Sequence, residues 1–214
     1  PTNSYDILQS YGYDVLQDSL RLENDLLCVS GDTRVLVLND GPKWVPIRDL
    51  AEEYKDKPEA PIYTLSFDTQ SKRIVCSEAY RPRRTKHDRV FYVVMTGSST
   101  DSQHSYVIKA TADHPFLMRD GSTYCKVKDL KPGDSVMPAG VSVKEVNTWP
   151  YWYVFQPFEL TASGKGSKQV KLAHLVVERT QGRRPGKGEV VHHINQDKLC
   201  DAPWNLEIKG INAH

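Results

Sequence analysis

The chain has 214 residues, 28 Lys+Arg against 27 Asp+Glu, with 26% charged residues and 39% in the nine apolar types. That length buries a real core in one large or two small domains, which excludes a peptide or a tail. Mean hydropathy is −0.53, no apolar run nears the ~20 residues of a bilayer span, and PTNSYDILQSYGYDVLQDSL at the start lacks the basic opening and apolar core of a signal peptide. The expectation is a soluble, cytoplasmic protein, prokaryotic or phage-encoded, with no membrane partner.

Residues 5–27 carry apolar positions at Ile7, Leu8, Tyr11, Val15, Leu16, Leu20 and Leu26, close to amphipathic-helix spacing despite Gly12, and read as a helical lead-in over 1–27. From Cys28 the texture turns β-rich: strands are expected over 33–39, 61–67, 72–79, 89–97, 104–112 and 134–140, broken by Gly, Pro, Asp and Asn. A short helix is expected over 47–55, and Leu130-Lys131-Pro132-Gly133-Asp134 reads as a turn. After about residue 145 come an aromatic cluster (148–155), a Gly/Ser/Lys loop (162–168), a helix over 170–182 and a basic loop at 183–188. The last stretch reads strand, loop, strand and the start of a helix. A mainly β domain over 28–144 and an α+β domain over 145–214 follow.

Net charge near zero hides two basic stretches: 161–190 and 71–90 each hold seven Lys/Arg against two acids. A charge run is usually a solvated face, so neighbouring motifs must decide whether it meets nucleic acid. The four cysteines, Cys28, Cys76, Cys125 and Cys200, lie 48, 49 and 75 residues apart, neither a CxxC metal clip nor a disulfide scaffold.

Adjacent His192 and His193 are followed by Asn205 after a Pro-Trp turn, and by His214 nine residues later. Phosphodiester hydrolysis needs a base to activate water and a cation to stabilise charge on the phosphate and the leaving 3′ oxygen, and histidines supply both roles. Neighbours on a strand point to opposite faces, so the two histidines cannot share one task. Asn205 can tie down the loop between the strands through its amide. Vicinal histidines alone are more often packing or solvent-facing residues. A structural zinc site would want four Cys/His ligands, with Cys200 the sole nearby thiol.

VHHINQDKLCDAPWNLEI resembles the HNH endonucleases and their ββα-metal fold, over about residues 150–214. The resemblance implies His193 as general base, His192 and His214 as ligands of a divalent metal (Mg or Mn, with Zn an alternative), and Asn205 as the middle residue. It implies double-stranded DNA as partner, with phosphate contacts from Lys165, Lys168, Lys171, Arg183, Arg184 and Lys187, and weaker ones from His174 and Arg179. Replacing His193 is expected to abolish cleavage without touching a structural contact.

Cys28-Val-Ser-Gly-Asp-Thr opens the β domain, and Thr111-Ala112-Asp113-His114-Pro115 follows 83 residues later. Together with LKPGDSVMP (130–138) these resemble inteins, the Hint-fold (horseshoe) protein-splicing elements. A thiolate at Cys28 can attack the Leu27 carbonyl in an N-to-S acyl shift. His114 is expected to protonate the departing nitrogen, Thr111 to donate a hydrogen bond to the same peptide unit, and Asp113 to accept one locally. Taken singly, Cys28 and His114 read as core residues. The resemblance also implies further β strands and a terminal His-Asn pair, which are not found up to His214; such a remainder is cut off, carried by another polypeptide or absent. The first splicing step, without ligation, is the expected activity.

The combined expectation is a homing element: an HNH nuclease that hydrolyses DNA, joined to a Hint domain flanked by host-protein segments (exteins). The alternatives are the N-terminal half of a split intein that meets a separate C-terminal fragment, a splicing-dead Hint scaffold carrying the nuclease, and a non-catalytic DNA- or metal-binding module.

Overall fold

The computed structural model describes residues 28–85, 88–96, 105–160 and 167–213. The expected lead-in helix, Lys165 and His214 lie outside the described residues. In chain order the elements are β1 (Arg34–Val37), β2 (Lys43–Pro46), α1 (Ile47–Glu53), β3 (Ile62–Asp68), β4 (Arg73–Ala79), β5 (Val90–Thr96), β6 (Ser105–Thr111), β7 (Pro115–Leu117), β8 (Tyr124–Lys126), β9 (Val141–Val146), β10 (Trp149–Leu160), β11 (Ser167–Lys171), α2 (Leu172–Gln181), β12 (Glu189–His193) and β13 (Leu206–Gly210). The chain is mainly β, with few helices. None of the helices among the described residues is long and apolar enough to cross a membrane.

These elements divide into two compact units. The first takes the described residues up to Val35 with Val45–Ala60 and Ala79–Gly140, and the second takes Leu36–Trp44, Pro61–Glu78 and the residues from Val141 onward. Two segments from within 28–144 are thus part of the second unit, and side-chain bonds show why. Buried Gln156 in β10 works as a surrogate peptide: its Oε1 accepts from the Ile74 N–H at 2.8 Å and its Nε2 donates to the Ile74 carbonyl at 2.9 Å. The Thr64 hydroxyl likewise donates to the Leu36 carbonyl at 2.7 Å.

In the first unit β5 pairs antiparallel with β6, and β7 with β8. Strand alternation turns Val93, Met95, Ile108 and Ala110 inward, where they pack with Phe116, Val127 and Val136. Tyr92, Val94 and Val107 face outward and stay exposed. The 130–134 turn forms, with the Asp134 N–H donating to the Lys131 carbonyl at 3.0 Å and Gly133 at φ 96°, the left-handed value such a turn needs after proline. A strand over 134–140 does not form. Val136 makes one isolated bridge to Met118, while Pro138 and Gly140 cut short any ladder.

In the second unit β3 pairs with β4, β9, β10 and β11 form a three-stranded sheet, and β12 pairs with β13. The β9–β10 hairpin turns on Asn147 and Thr148, both at positive φ (50° and 70°), the geometry of a two-residue hairpin loop. Residues 170 and 171, expected in the helix, finish β11 instead. Helix α2 begins at Leu172, buries Leu172, Ala173, Leu175, Val176 and Val177 along one face, and ends at Gly182 with φ 71°. It packs against β10 to β13. The helix expected at the chain's end is represented by a single 3-10 turn, Ile211–Ala213.

Candidate active site

Strand β12 carries the two histidines, and its register with β13 sets His192 opposite Glu207 and His193 opposite Leu206. Alternation sends them to opposite faces. His193 is 2% exposed, and its Nε2 lies 2.7 Å from Oδ1 of Asp201, itself 1% exposed. The ring of Tyr151 stands 6.5 Å away, and the Lys171 ammonium sits 3.5 Å over that ring's centroid. Asp201 also accepts the backbone N–H of Ala173. It thereby caps the start of α2, whose own cap residue, Lys171, makes no side-chain cap bond. Burial pushes the Asp201 carboxyl up, opposed by the hydrogen bond and charge of His193, the Ala173 N–H and the Lys171 charge.

The loop from 194 to 205 is held by its own side chains. Asn205 is fully buried. Its Oδ1 accepts the Asn195 N–H at 2.9 Å and its Nδ2 donates to the Cys200 carbonyl at 2.7 Å. The Ile194 N–H donates to the Asn205 carbonyl, while Asn195 and Asp197 each accept the N–H two residues on. Asn205 therefore fixes both ends of the segment that contains Asp201.

His193 makes a structural contact, contrary to the expectation that its removal would spare all of them: truncating it leaves a buried carboxylate without its partner. His192 is half-buried beside Glu207. Its imidazole is a donor of the right kind for a divalent ion, better matched to Mn or Zn than to Mg, which prefers oxygen. Among the described residues no three His, Cys, Asp or Glu side chains come together to hold an ion, and the second expected ligand, His214, lies outside them.

Four of the expected phosphate-binding residues have carboxylate partners among the described residues. Arg183 makes a two-pronged pair with Glu189 at 2.6 and 3.1 Å, Arg184 meets Glu178 at 2.6 Å, Arg179 meets Glu78 at 3.1 Å, and Lys168 meets Glu159 at 2.9 Å. Arg183 and then the Gly186 N–H hold Glu189 down at about 2. Lys187 is exposed, and half-buried His174 is pushed down by burial, then by the charges of Lys171 and Arg184. The pairings reduce the positive potential a duplex would meet.

In the first unit the chain at Cys28 runs antiparallel to β6, bridged at Val29 and Ala110. The Cys28 N–H donates to the Thr111 hydroxyl oxygen at 3.2 Å, and the Cys28 carbonyl accepts from both the Thr111 N–H (2.9 Å) and its hydroxyl (3.3 Å). Toward the Cys28 N–H the Thr111 hydroxyl is an acceptor, and it also donates to the Cys28 carbonyl of the next peptide unit; Leu27, the other half of the peptide it is expected to serve, lies outside the described residues. The Cys28 thiol lies 2.8 Å from the Thr85 hydroxyl. His114 is buried edge-on to Phe116, and its Nδ1 has no hydrogen-bond partner among the described residues. Burial pushes it down to about 4, so at neutral pH the ring is uncharged and can offer only a neutral N–H. The Asp113 carboxylate is taken by Lys128 and Lys126.

This geometry meets the comparisons at one segment. Residues 171–210 match the HNH endonuclease family. The matched segment is α2, β12 and β13 with the loop that Asn205 ties, so an HNH endonuclease domain is present there; nucleases of this family generally use a divalent metal. The chain is also 35% identical over 184 residues to the B-subunit of DNA gyrase from Synechocystis sp., covering 84% of this chain but 16% of that protein. No solved structure matches the chain.

Asp201, Tyr151 and Thr85 are absent from the sequence-derived set. Asp201 had a signal: an acid eight residues after His193, set between Cys200 and Ala202 in an otherwise polar loop. Tyr151 and Thr85 had none.

Proposed function

We propose that the chain is an intein-borne HNH homing endonuclease, with a nuclease domain over 145–214 that hydrolyses DNA and a Hint domain over 28–144 that performs the acyl shift at Leu27–Cys28. The observation that carries the nuclease is the family match falling on the strand pair where buried His193 has a carboxylate partner and Asn205 pins the loop. His193 takes a proton from the attacking water. Asp201 stabilises the charge that arrives on the ring, and Asn205 keeps the loop in register. His192 and His214 would hold a divalent cation, which when bound supplies positive charge against the phosphate and the leaving oxygen. Lys187 and, once freed from their carboxylates, Arg183 and Arg184 would meet phosphates of double-stranded DNA.

Splicing chemistry is supported by the arrangement at Cys28. Thr111 accepts the N–H of the peptide nitrogen that must leave, so its oxygen favours the emerging amine, and His114 offers a neutral N–H. The match to a sixth of a much longer chain named for a different activity is what an element inserted in a host protein would give. One incubation tests both halves: duplex DNA with Mn²⁺ or Mg²⁺ on a DNA gel, and a strong thiol with the same protein on a protein gel. The expected results are cut DNA and fragments of 27 and 187 residues, the products of a break after Leu27 in 214 residues. Intact DNA overturns the nuclease, and an intact chain overturns the acyl shift.

A further inference from the structure

We propose that Asp201 is the positioning residue that sets the tautomer of His193, holding the ring proton on Nε2 and leaving Nδ1 as the nitrogen that accepts a proton. This rests on the reading of His193 as general base.

Three observations converge on it. The Nε2 to Oδ1 distance is 2.7 Å with both side chains buried, so water does not compete for the bond. Asp201 is fixed from a second side by the Ala173 N–H at the start of α2; burial pushes its carboxyl up, and the bond to His193, the Ala173 N–H and the Lys171 charge oppose that rise. With the carboxylate ionised, Oδ1 accepts across the 2.7 Å contact and Nε2 carries the proton. At the other edge of the ring, Nδ1 is buried with no hydrogen-bond partner among the described residues. Leaving a buried polar nitrogen unmatched costs about 1–3 kcal/mol. A base requires such a lone pair; His114 leaves its Nδ1 unmatched as well, so the carboxylate at Nε2 is what sets His193 apart.

Water gives a proton to the Nδ1 lone pair as its oxygen bonds to phosphorus; the bond from phosphorus to the 3′ oxygen breaks, and that oxygen leaves with the electron pair and takes a proton from solvent water. The ring becomes imidazolium, with the Nε2 proton still hydrogen-bonded to Asp201, which remains a carboxylate. The arrangement is independent of whether the loop's other residues touch DNA.

The test reads the tautomer directly, by long-range ¹H–¹⁵N NMR of the His193 ring in the full chain, beside steady-state cleavage of duplex DNA with Mn²⁺. The expected wild-type spectrum shows a protonated Nε2 and an unprotonated Nδ1. Asp201→Asn, whose amide can turn a donor toward the ring, redistributes the proton, and kcat falls on the order of 10²–10⁴-fold with KM for DNA little changed. Asp201→Glu, which keeps the carboxylate, restores part of the rate. A wild-type ring protonated on Nδ1 overturns the proposal, as does an unchanged tautomer in Asp201→Asn. If Asp201→Asn does not fold, by thermal melting, the wild-type spectrum and Asp201→Glu still decide. If the wild type cuts no DNA, the nuclease reading fails, and the spectrum alone judges the role of Asp201.

Discussion

His193 in the second unit and His114 in the first are each 2% exposed, yet Asp201 stands 2.7 Å from the ring of one and no anion is bonded to the ring of the other among the described residues. Burial alone disfavours the charged form, as the fall of His114 to about 4 records. A buried ring with a carboxylate at its back can take up a proton without creating an isolated charge. A buried ring without one stays neutral and works as a hydrogen-bond donor. The two motifs that look alike in sequence, a histidine beside other polar residues, are therefore suited to opposite directions of proton traffic.

The largest expected effect tests the partnered site. Asn205→Ala removes both side-chain bonds that close the 194–205 loop and leaves a void, and should cost about 3–4 kcal/mol of unfolding free energy. Chemical denaturation measures it. A loss under about 1 kcal/mol would mean that Asp201 is not held in place by that loop.

Next comes the unpartnered site. His114 has its folded value at about 4 against about 6.5 in the unfolded chain, so the unfolded state binds more protons between them. Stability should be full above about pH 6.5 and fall by up to about 3 kcal/mol as pH drops toward 4. Denaturation at several pH values checks it, with His114→Leu as control: the variant should lose most of that slope, and a slope that persists assigns the effect to other groups.

A smaller effect is expected at Thr111. Thr111→Val keeps the shape and removes the acceptor for the Cys28 N–H, so thiol-induced release of the 27-residue fragment should slow about tenfold, corresponding to about 1.4 kcal/mol. Equal rates would remove Thr111 from the acyl shift. The smallest effect concerns the basic loop. Because Arg183 and Arg184 already face Glu189 and Glu178, each Arg→Ala change should lower the salt slope of DNA binding by less than about one. Glu189→Gln should tighten binding. A full unit per arginine would show that the pairs open at no cost.

Elements with one strong periodicity were legible. Helix α2 announces itself by Leu172, Leu175 and Val176 with a stop at Gly182, and β5 and β6 by alternation of Val93, Met95, Ile108 and Ala110. The β9–β10 hairpin was not, because Asn147-Thr148 is an uncommon pair for its positive-φ turn and the aromatic run that follows has no clean polar face. Asp201 is hard to read from sequence because an acid in a Pro- and Asn-containing loop resembles an ordinary turn residue, and only packing buries it against His193. The Arg183–Glu189 pair spans six residues, outside the local spacings from which ion pairs are read. Segments that join a distant sheet through a side-chain amide, as Gln156 joins Ile74, leave no mark in local pattern at all.

The central claim is that His193 is the base of a DNA-cutting site, and one substitution isolates it. His193→Gln places an amide donor near the position of Nε2, so the bond to Asp201 survives while the Nδ1 lone pair is gone. Cleavage of duplex DNA with Mn²⁺ should fall on the order of 10²–10⁴-fold with binding and melting temperature close to wild type. Wild-type cleavage by a folded His193→Gln chain would contradict the account.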